Sequence, residues 1–321
     1  MAPRLIFGTA TFGMDATEFQ DADSVQNLLK VLQDIGIDHL DTGARYPPTR
    51  PGKSEELIGD NQESSVGFTL DTKVYTNTQK DGSGDLEAKA VEQSIRSSLQ
   101  RLKRSKVNVL HAHRADPSTP LEEQIMAFNQ QIQQGRCAEW GVSNVPPAML
   151  EQMLRICEER GFRKPACYQG EYNLITRGME TRLMPLLRAH GMTYNAFRPL
   201  AAGFLTGKLI NNEHAGTRFA DDNPLGKFAQ TLFGAEDLHS AMKTFQDEAK
   251  SHDITPLEVA VRWIAHHSAL RDEDGIILGA SKVEQILENV NMIEKGPLPG
   301  KVLKATERVW SAVKETRAEI I

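Results

Sequence analysis

Short apolar runs alternate with longer amphipathic stretches along almost the whole chain. In the stretch 86–104, apolar residues recur every three or four positions, and charged and amide residues fill the positions between them. This spacing places the apolar side chains on one face of a helix, which can then pack against a core. The recurring apolar positions are Val91, Ile95, Leu99 and Leu102. Similar patterns predict helices over 23–35, 121–134, 147–160, 179–190 and 257–267.

Eight short apolar runs lie between these stretches and predict buried strands. They cover residues 5–8, 39–42, 68–74, 107–113, 139–143, 167–171, 193–197 and 275–279. Strands that alternate with helices imply right-handed crossovers and a parallel sheet. Eight of them fit a closed (β/α)8 TIM barrel, although the count alone also allows an open doubly wound sheet. No Gly-x-Gly-x-x-Gly follows the first strand, where an open dinucleotide-binding sheet needs it, and this favours the barrel.

No repeat, low-complexity tract or proline-rich linker divides the chain, so residues 1–321 are expected to form a single domain. One long stretch, 208–236, is rich in Asn, Gly, Asp and Pro and follows the seventh predicted strand. Long loops are often lids or binding loops, and barrels place their sites on the loops that follow strands. We therefore expect this stretch to border the functional site, with an insertion of no function as the alternative.

The composition narrows the classes of partner. A formal net charge of −6 argues against a nucleic-acid-binding protein, which usually has a basic face. No apolar run approaches the roughly 18 residues of a membrane span, and the first residues lack the apolar core of a signal peptide, so a cytoplasmic location is expected. The cysteines are too few for a disulfide framework and lack metal-ligand spacing. They are Cys137, Cys157 and Cys167.

Titratable side chains occur at or near the carboxyl ends of three consecutive predicted strands. Asp41 lies on the second strand with Tyr46 five residues later, Lys73 lies on the third, and His113 ends the fourth. Each has an ordinary structural explanation: Asp41 can cap a turn, Lys73 can extend to solvent, and His113 can be a hydrogen-bonded core histidine. Four such groups at one barrel mouth are harder to explain in this way, since Asp and Lys are rarely buried unless paired.

These residues and the segments around them resemble the aldo-keto reductases, whose Asp, Tyr, Lys and His tetrad occurs in this chain order. The matching segments are GIDHLDT at 36–42, SEELIG at 54–59, GVSN at 141–144, YQGEYN at 168–173, PLAAGFLTGK at 199–208 and GASKVEQILEN at 279–289. The similarity is greatest to the aflatoxin-aldehyde reductases, with the potassium-channel β-subunits more distant. The resemblance implies an NADPH-dependent reductase of aldehydes or ketones that needs no metal. An NADPH-binding regulatory subunit, similar to the channel β-subunits, is the alternative.

The resemblance also implies a role for each member of the tetrad. Tyr46 donates a proton to the carbonyl oxygen as hydride arrives at the carbon, and the Lys73 cation favours the phenolate and so makes the phenol a better acid. Asp41 holds and orients the lysine. His113 hydrogen-bonds and orients the carbonyl group.

Cofactor-binding residues follow from the same resemblance. On the nicotinamide side they are Ser143, Asn144 and Gln169, with Phe197 stacked on the ring, and Thr9 and Asp41 are further cofactor-binding candidates. The diphosphate and adenosine sides comprise Arg198, Pro199, Leu200, Ala202, Lys208, Arg218, Gly279, Ser281, Gln285, Glu288 and Asn289. Many relatives grip the 2′-phosphate with a Lys and an Arg where this chain has Gly279 and Gln285. Lys208 and Arg218 match cations that contact the cofactor in the channel-subunit pattern, which favours NADPH over NADH.

Among the other departures from the family pattern, two bear directly on the site. Arg198 replaces a usual Ser or Asn, and it either contacts the diphosphate or extends to solvent. His111 should point into the barrel with His113, because residues two apart on a strand face the same side. A His-x-His pair also occurs in metal-dependent hydrolases, but the later strands here offer no further inward-facing His or Asp ligands.

The substrate is expected to be a small carbonyl compound whose identity depends on the loops 114–120, 208–236 and 301–321. Within them, Arg114 either recognises a carboxylate or is solvated. Phe219, Phe228 and Phe233 either line an apolar pocket or pack between helices. The chain is expected to be a monomer or a homodimer, with no nucleic-acid or membrane partner.

Overall fold

Eight parallel strands close into a barrel in the computed structural model, which describes residues 2–15, 17–217, 219–222 and 226–319. The strands are β1 Arg4–Gly8, β2 His39–Asp41, β3 Thr69–Lys73, β4 Val107–Ala112, β5 Cys137–Ser143, β6 Cys167–Glu171, β7 Thr193–Phe197 and β8 Gly275–Leu278. Strand β1 pairs with both β2 and β8, so the sheet has no free edge. The (β/α)8 barrel is therefore confirmed, and the open-sheet alternative is wrong.

Helices surround the barrel and connect its strands. Those that the described residues form are α1 Ala22–Asp34, α2 Lys53–Asp60, α3 Gln62–Ser65, α4 Ala88–Leu102, α5 Leu121–Gln133, α6 Pro147–Arg160, α7 Leu183–Ala189, α8 Gly226–Leu232, α9 Glu236–Lys250, α10 Pro256–His266, α11 Val283–Glu294 and α12 Gly300–Arg317. None of these helices is both long and apolar enough to cross a membrane.

Local sequence signals set the helix positions. Helix α4 buries Val91, Ile95 and Leu102, as its apolar spacing predicts, because this face packs onto the barrel. Helix α10 begins at Pro256, whose missing N–H is not needed in the first turn. The Thr255 side chain accepts a hydrogen bond from the Glu258 N–H and so caps this end.

The segment 301–321 is not a loop, contrary to the sequence-based expectation. Its described part lies almost entirely in α12, which packs against α9 with Val302, Val309 and Val313 buried. The stretch 208–236 is also more regular than expected, since α8 occupies part of it. Polar residues at the chain end obscured the apolar spacing of α12, whereas packing against α9 stabilises the helix.

Candidate active site

The barrel brings the four tetrad residues together at one mouth. Strands β2 and β3 are in register, with Asp41 opposite Asp71, so Asp41 and Lys73 both point into the barrel near its carboxyl end. Lys73 pairs in turn with His111 of β4, two residues before His113. Tyr46 reaches the same place from the turn after β2. The register of the parallel strands therefore brings four residues that are separate in the sequence into one cluster.

A buried ion pair forms the base of this cluster. The Lys73 Nζ atom donates to both Asp41 carboxylate oxygens at 2.7 Å and to the Thr42 carbonyl at 2.8 Å, and the residue is only 1% exposed. Burial lowers the pKa of Lys73, but the charge and hydrogen bonds of Asp41, together with Tyr46 and Asp71, outweigh burial, and the net shift is upward. Lys73 is therefore a permanent cation at neutral pH.

Tyr46 lies directly against this cation. The Lys73 Nζ atom is 4.9 Å from the centre of the Tyr46 ring, which meets the His113 ring edge-on at 5.5 Å between ring centres. A Cβ atom at Gly43 would lie 3.3 Å from the tyrosine ring, so glycine gives the ring its space. The phenol ring therefore contacts both a cation and an imidazole.

Burial controls the ionisation of both rings. It raises the pKa of Tyr46 above 10.0, and the nearby Lys73 cation lowers that pKa only in part. The expected effect of Lys73 is thus present, but the net shift has the opposite direction. Burial, followed by the Lys73 and Arg45 charges, holds the pKa of His113 well below 6.5. Both side chains are neutral at pH 7, so Tyr46 keeps its proton and His113 can donate a neutral hydrogen bond.

Ser143 ends β5 at the same mouth, and Asn144 follows it. The Asn144 amide donates to the His113 carbonyl and to the Ser143 Oγ atom, both at 3.0 Å. Asn144 has a φ of 53° and is exposed, whereas Ser143 is buried. Gln169, in the middle of β6, donates to the Asp41 carboxylate at 2.8 Å. This last contact ties an expected cofactor ligand to the buried ion pair.

The segment after β7 has an unusual backbone. Arg198, Ala201 and Ala202 have φ values of 54°, 48° and 57°, in the left-handed region that residues other than glycine rarely adopt. Gly203 continues the segment with a φ of 100°. Backbone strain of this kind costs about 1–3 kcal/mol per residue and clusters at functional sites. Pro199 and Leu200 lie within this segment, which fits a loop shaped around a ligand.

The loop after β8 and helix α11 contain the predicted adenosine-side residues. The backbone and side chain of Ser281 donate to Gln285 Oε1 at 2.8 and 3.1 Å. Gly279 and Glu288 are exposed, and Asn289 is buried on α11. The predicted adenosine-side residues therefore lie together where β8 passes into α11.

Comparison with known proteins agrees with this geometry. The model of the aldo/keto reductase family matches residues 4–311. The chain belongs to this family. It is 32% identical to an aldo-keto reductase of Pseudocercospora fijiensis, over 91% of this chain and 99% of the relative. It is 31% identical to the oxidoreductase sirO of Leptosphaeria maculans, over 98% and 95%. It is 30% identical to aflatoxin B1 aldehyde reductase member 2 of Mus musculus, over 98% and 86%.

Membership in the aldo/keto reductase family supports an oxidoreductase that acts on small carbonyl substrates. Members of this family generally use a nicotinamide cofactor. The resemblance inferred from the sequence motifs is thus confirmed, including its aflatoxin-aldehyde reductase branch.

The structure adds the surroundings of two predicted cofactor residues, Thr9 and Lys208, that the motifs do not convey. Thr9 is fully buried, and its hydroxyl donates to the Asp41 carbonyl and contacts Ser54 Oγ at 2.8 Å, so it supports the strand that bears Asp41. Lys208 is exposed. Arg218 lies outside the described residues.

Arg198 neither extends freely to solvent nor stands alone. Its guanidinium donates to Glu171 Oε2 at 2.8 Å and lies 5.6 Å from the centre of the Phe197 ring. Sequence reasoning missed Glu171, although Cys167, Gln169 and Glu171 share the two-residue spacing of one strand face. The same two-residue spacing indicated that His111 and His113, on the fourth predicted strand, face the barrel interior. Applied to β6, it would have predicted that the Glu171 carboxylate lies at the barrel mouth.

His111 points into the barrel as expected. Its Nε2 atom lies 3.1 Å from Cys167 Sγ, and burial lowers the pKa of the ring. Among the described residues, no three His, Cys, Asp or Glu side chains are grouped in a way that could hold a metal ion. The metal-hydrolase alternative therefore finds no ligand set there.

The loop residues considered for substrate recognition mostly have structural contacts. Arg114 donates to the Asp85 carboxylate at 2.9 Å and to the Asn77 carbonyl at 2.7 Å, so it braces the loop after β3. Phe219 and Phe233 are buried and pack edge-on with 6.0 Å between ring centres. Phe228 is 64% exposed. Packing of buried rings against each other therefore accounts for Phe219 and Phe233.

Proposed function

We propose that this protein reduces an aldehyde or ketone to an alcohol with NADPH, and that Tyr46 is the proton donor. The observation that supports this most directly is the Tyr46 phenol held between the Lys73–Asp41 ion pair and the neutral His113 ring. We also propose that the whole chain acts as one domain, with a small carbonyl compound as substrate.

The residues present fit a nicotinamide cofactor. The exposed Asn144 amide, the left-handed backbone of the segment after β7 and the exposed Lys208 cation supply polar groups of the kind that such a cofactor needs. The residues proposed to hold the cofactor are Thr9, Asp41, Ser143, Asn144, Gln169, Phe197, Arg198, Pro199, Leu200, Ala202, Lys208, Arg218, Gly279, Ser281, Gln285, Glu288 and Asn289. When bound, the reduced nicotinamide supplies the hydride.

Each tetrad residue then has a distinct task. Tyr46 gives its phenolic proton to the carbonyl oxygen, where negative charge develops. Lys73 stabilises the phenolate left behind, because its charge is fixed by Asp41 in a site with little water. His113, as a neutral imidazole, donates a hydrogen bond that orients the carbonyl group. The proposed general acid contributes about 10²- to 10⁴-fold to the rate.

The preference for NADPH over NADH provides a direct test of cofactor recognition. We expect Lys208→Ala to weaken NADPH binding about tenfold and to leave NADH binding nearly unchanged, since one charge-assisted contact to the 2′-phosphate is lost. Titration of the protein with each cofactor measures this. Lys243→Ala, an exposed lysine on α9, is the matched control. Equal weakening of both cofactors would exclude Lys208 as the 2′-phosphate contact.

The pH dependence of reduction tests the protonation states. Tyr46 has a raised pKa, so the donor form persists until the pH exceeds 10.0, and the rate falls only above that value. His113 has a lowered pKa, so it stays neutral until the pH is well below 6.5. We expect kcat/KM for the carbonyl substrate, at saturating NADPH, to be flat between these limits. An inflection near neutrality that disappears in His113→Gln would show that the imidazole titrates there.

A further inference from the structure

Helix α12, at the end of the chain, is linked to the barrel mouth by a line of three charged residues. Arg198, after β7, donates to Glu171 Oε2 at 2.8 Å. Arg317, in the last turn of α12, donates to Glu171 Oε1 at 3.4 Å. Two guanidinium groups therefore share one carboxylate across 146 positions of the sequence.

The carboxylate at the centre is held in place on several sides. Glu171 ends β6, is 5% exposed and pairs in register with Phe197, the residue before Arg198. The Thr176 hydroxyl and the Asn173 amide also reach Oε1, each at 3.4 Å. The same Asn173 amide donates to the Arg198 carbonyl at 3.0 Å, so both the side chain and the backbone of Arg198 are fixed from this side.

Arg317 is anchored more firmly still. It is 5% exposed, and it donates to the Ile175 carbonyl at 2.8 Å and to Thr176 Oγ1 at 2.7 Å. Its guanidinium also lies 5.3 Å from the centre of the Phe233 ring. At Gly178, any Cβ atom would collide with the Ala318 backbone, so glycine permits the close approach of the α12 end. A buried arginine with this many partners is a fixed part of the fold.

The three charged side chains of this cluster do not cancel, and the excess charge is positive. An isolated Arg198–Glu171 pair is neutral, and its carboxylate repels a phosphate group. Arg317 offsets the carboxylate from the buried side, so the three residues together have a net charge of one positive unit. The accessible end is the Arg198 side chain, which is 35% exposed. Arg198 is also the first residue with left-handed backbone angles in the segment after β7, at the barrel mouth.

We propose that Arg198 contacts the diphosphate of the cofactor and that Glu171 and Arg317 are positioning residues that hold it for this contact. The inference rests on the proposed cofactor. It makes the end of α12 a determinant of cofactor affinity, although α12 itself lies outside the barrel. Glu171 fixes the direction of the Arg198 side chain, and Arg317 removes the electrostatic penalty that Glu171 alone would impose on the phosphates.

The test is direct NADPH binding, followed by the change in protein fluorescence, rather than turnover. We expect Arg317→Met to weaken NADPH binding about tenfold and to reduce its salt dependence, because the net charge facing the phosphates falls. The kcat at saturating NADPH and the KM for the carbonyl substrate should change less than about twofold. Arg308→Met, on the same helix as Arg317, breaks a surface pair with Glu248 of α9. It is the matched control and should bind NADPH normally.

A double-mutant cycle separates positioning from stability. In an Arg198→Met background, we expect Arg317→Met to cause a much smaller loss of affinity, because the positioning of Arg198 no longer matters and only the uncompensated charge of Glu171 remains. Equal losses in both backgrounds, or a lower melting temperature with unchanged affinity, would overturn the proposal. Glu171→Gln is a further test, because positioning and net charge predict opposite changes in NADPH affinity for this variant. Weaker binding supports positioning, whereas tighter binding would mean that only net charge matters.

The same titrations distinguish this inference from the proposed function. If the wild-type protein binds no NADPH, both are wrong. If it binds NADPH and Arg317→Met binds equally well, only the inference is wrong. Should Arg317→Met fail to fold, Arg317→Lys keeps the charge but loses the forked donor geometry, and it should show a smaller loss of affinity in the same direction.

Discussion

Replacing Tyr46 by phenylalanine is expected to lower kcat about 10²- to 10⁴-fold while leaving NADPH affinity and the melting temperature unchanged. The substitution removes only the hydroxyl group, so the ring still packs against His113 and Lys73. No other phenol is placed to give a proton at that position among the described residues. Loss of NADPH absorbance with a panel of aromatic aldehydes and diketones measures the effect.

Tyr75→Phe is the control for this experiment. Tyr75 follows β3 at the same end of the barrel and is 45% exposed, so losing its hydroxyl should leave kcat within about twofold of wild type. Turnover by Tyr46→Phe within tenfold of wild type would remove Tyr46 from the role of proton donor. No turnover by the wild-type protein despite tight NADPH binding would instead favour a regulatory subunit.

Asp41→Asn is expected to affect stability and activity together. The substitution leaves the Lys73 cation buried with no counter-charge, and removing one partner of a buried ion pair costs about 3–5 kcal/mol of unfolding free energy. Activity falls as well, because Lys73 can neutralise its own charge or shift away from Tyr46. Urea denaturation measures the first effect, and turnover at saturating NADPH measures the second. The two measurements together distinguish the role of Asp41 from that of Tyr46, because substitution of Tyr46 should alter activity but not stability.

A surface pair and a double variant complete this test. Asp60→Asn breaks an exposed contact of 2.9 Å with Lys103, and it should change the unfolding free energy by less than about 1 kcal/mol. In Asp41→Leu with Lys73→Met, both charges are gone, so much of the lost stability should return while turnover stays absent. If Asp41→Asn is as stable as wild type, the ion pair does not have the importance that we assign to it.

The sequence determined the fold because periodicity is a local property. Apolar runs of strand length alternate with amphipathic stretches, and each of the eight predicted strands forms within two residues of its expected ends. The strand ends also indicated Asp41, Lys73 and His113, since parallel strands bring their carboxyl ends to one face. The segment that forms α12 was expected to be a loop, because charged residues separate its apolar positions. The helix is stabilised where those positions pack against α9.

Only the tertiary structure decided the contacts and ionisation of the site. The bond from Gln169 to Asp41 joins residues 128 positions apart, and the link from Arg317 to Glu171 joins residues 146 positions apart. No local pattern encodes such pairs, since they depend on strand register and helix packing. The raised pKa of Tyr46 is likewise a consequence of burial, which outweighs the charge of Lys73. Sequence specified which groups are present, whereas their environment, set by the packed fold, fixed which of them hold a proton.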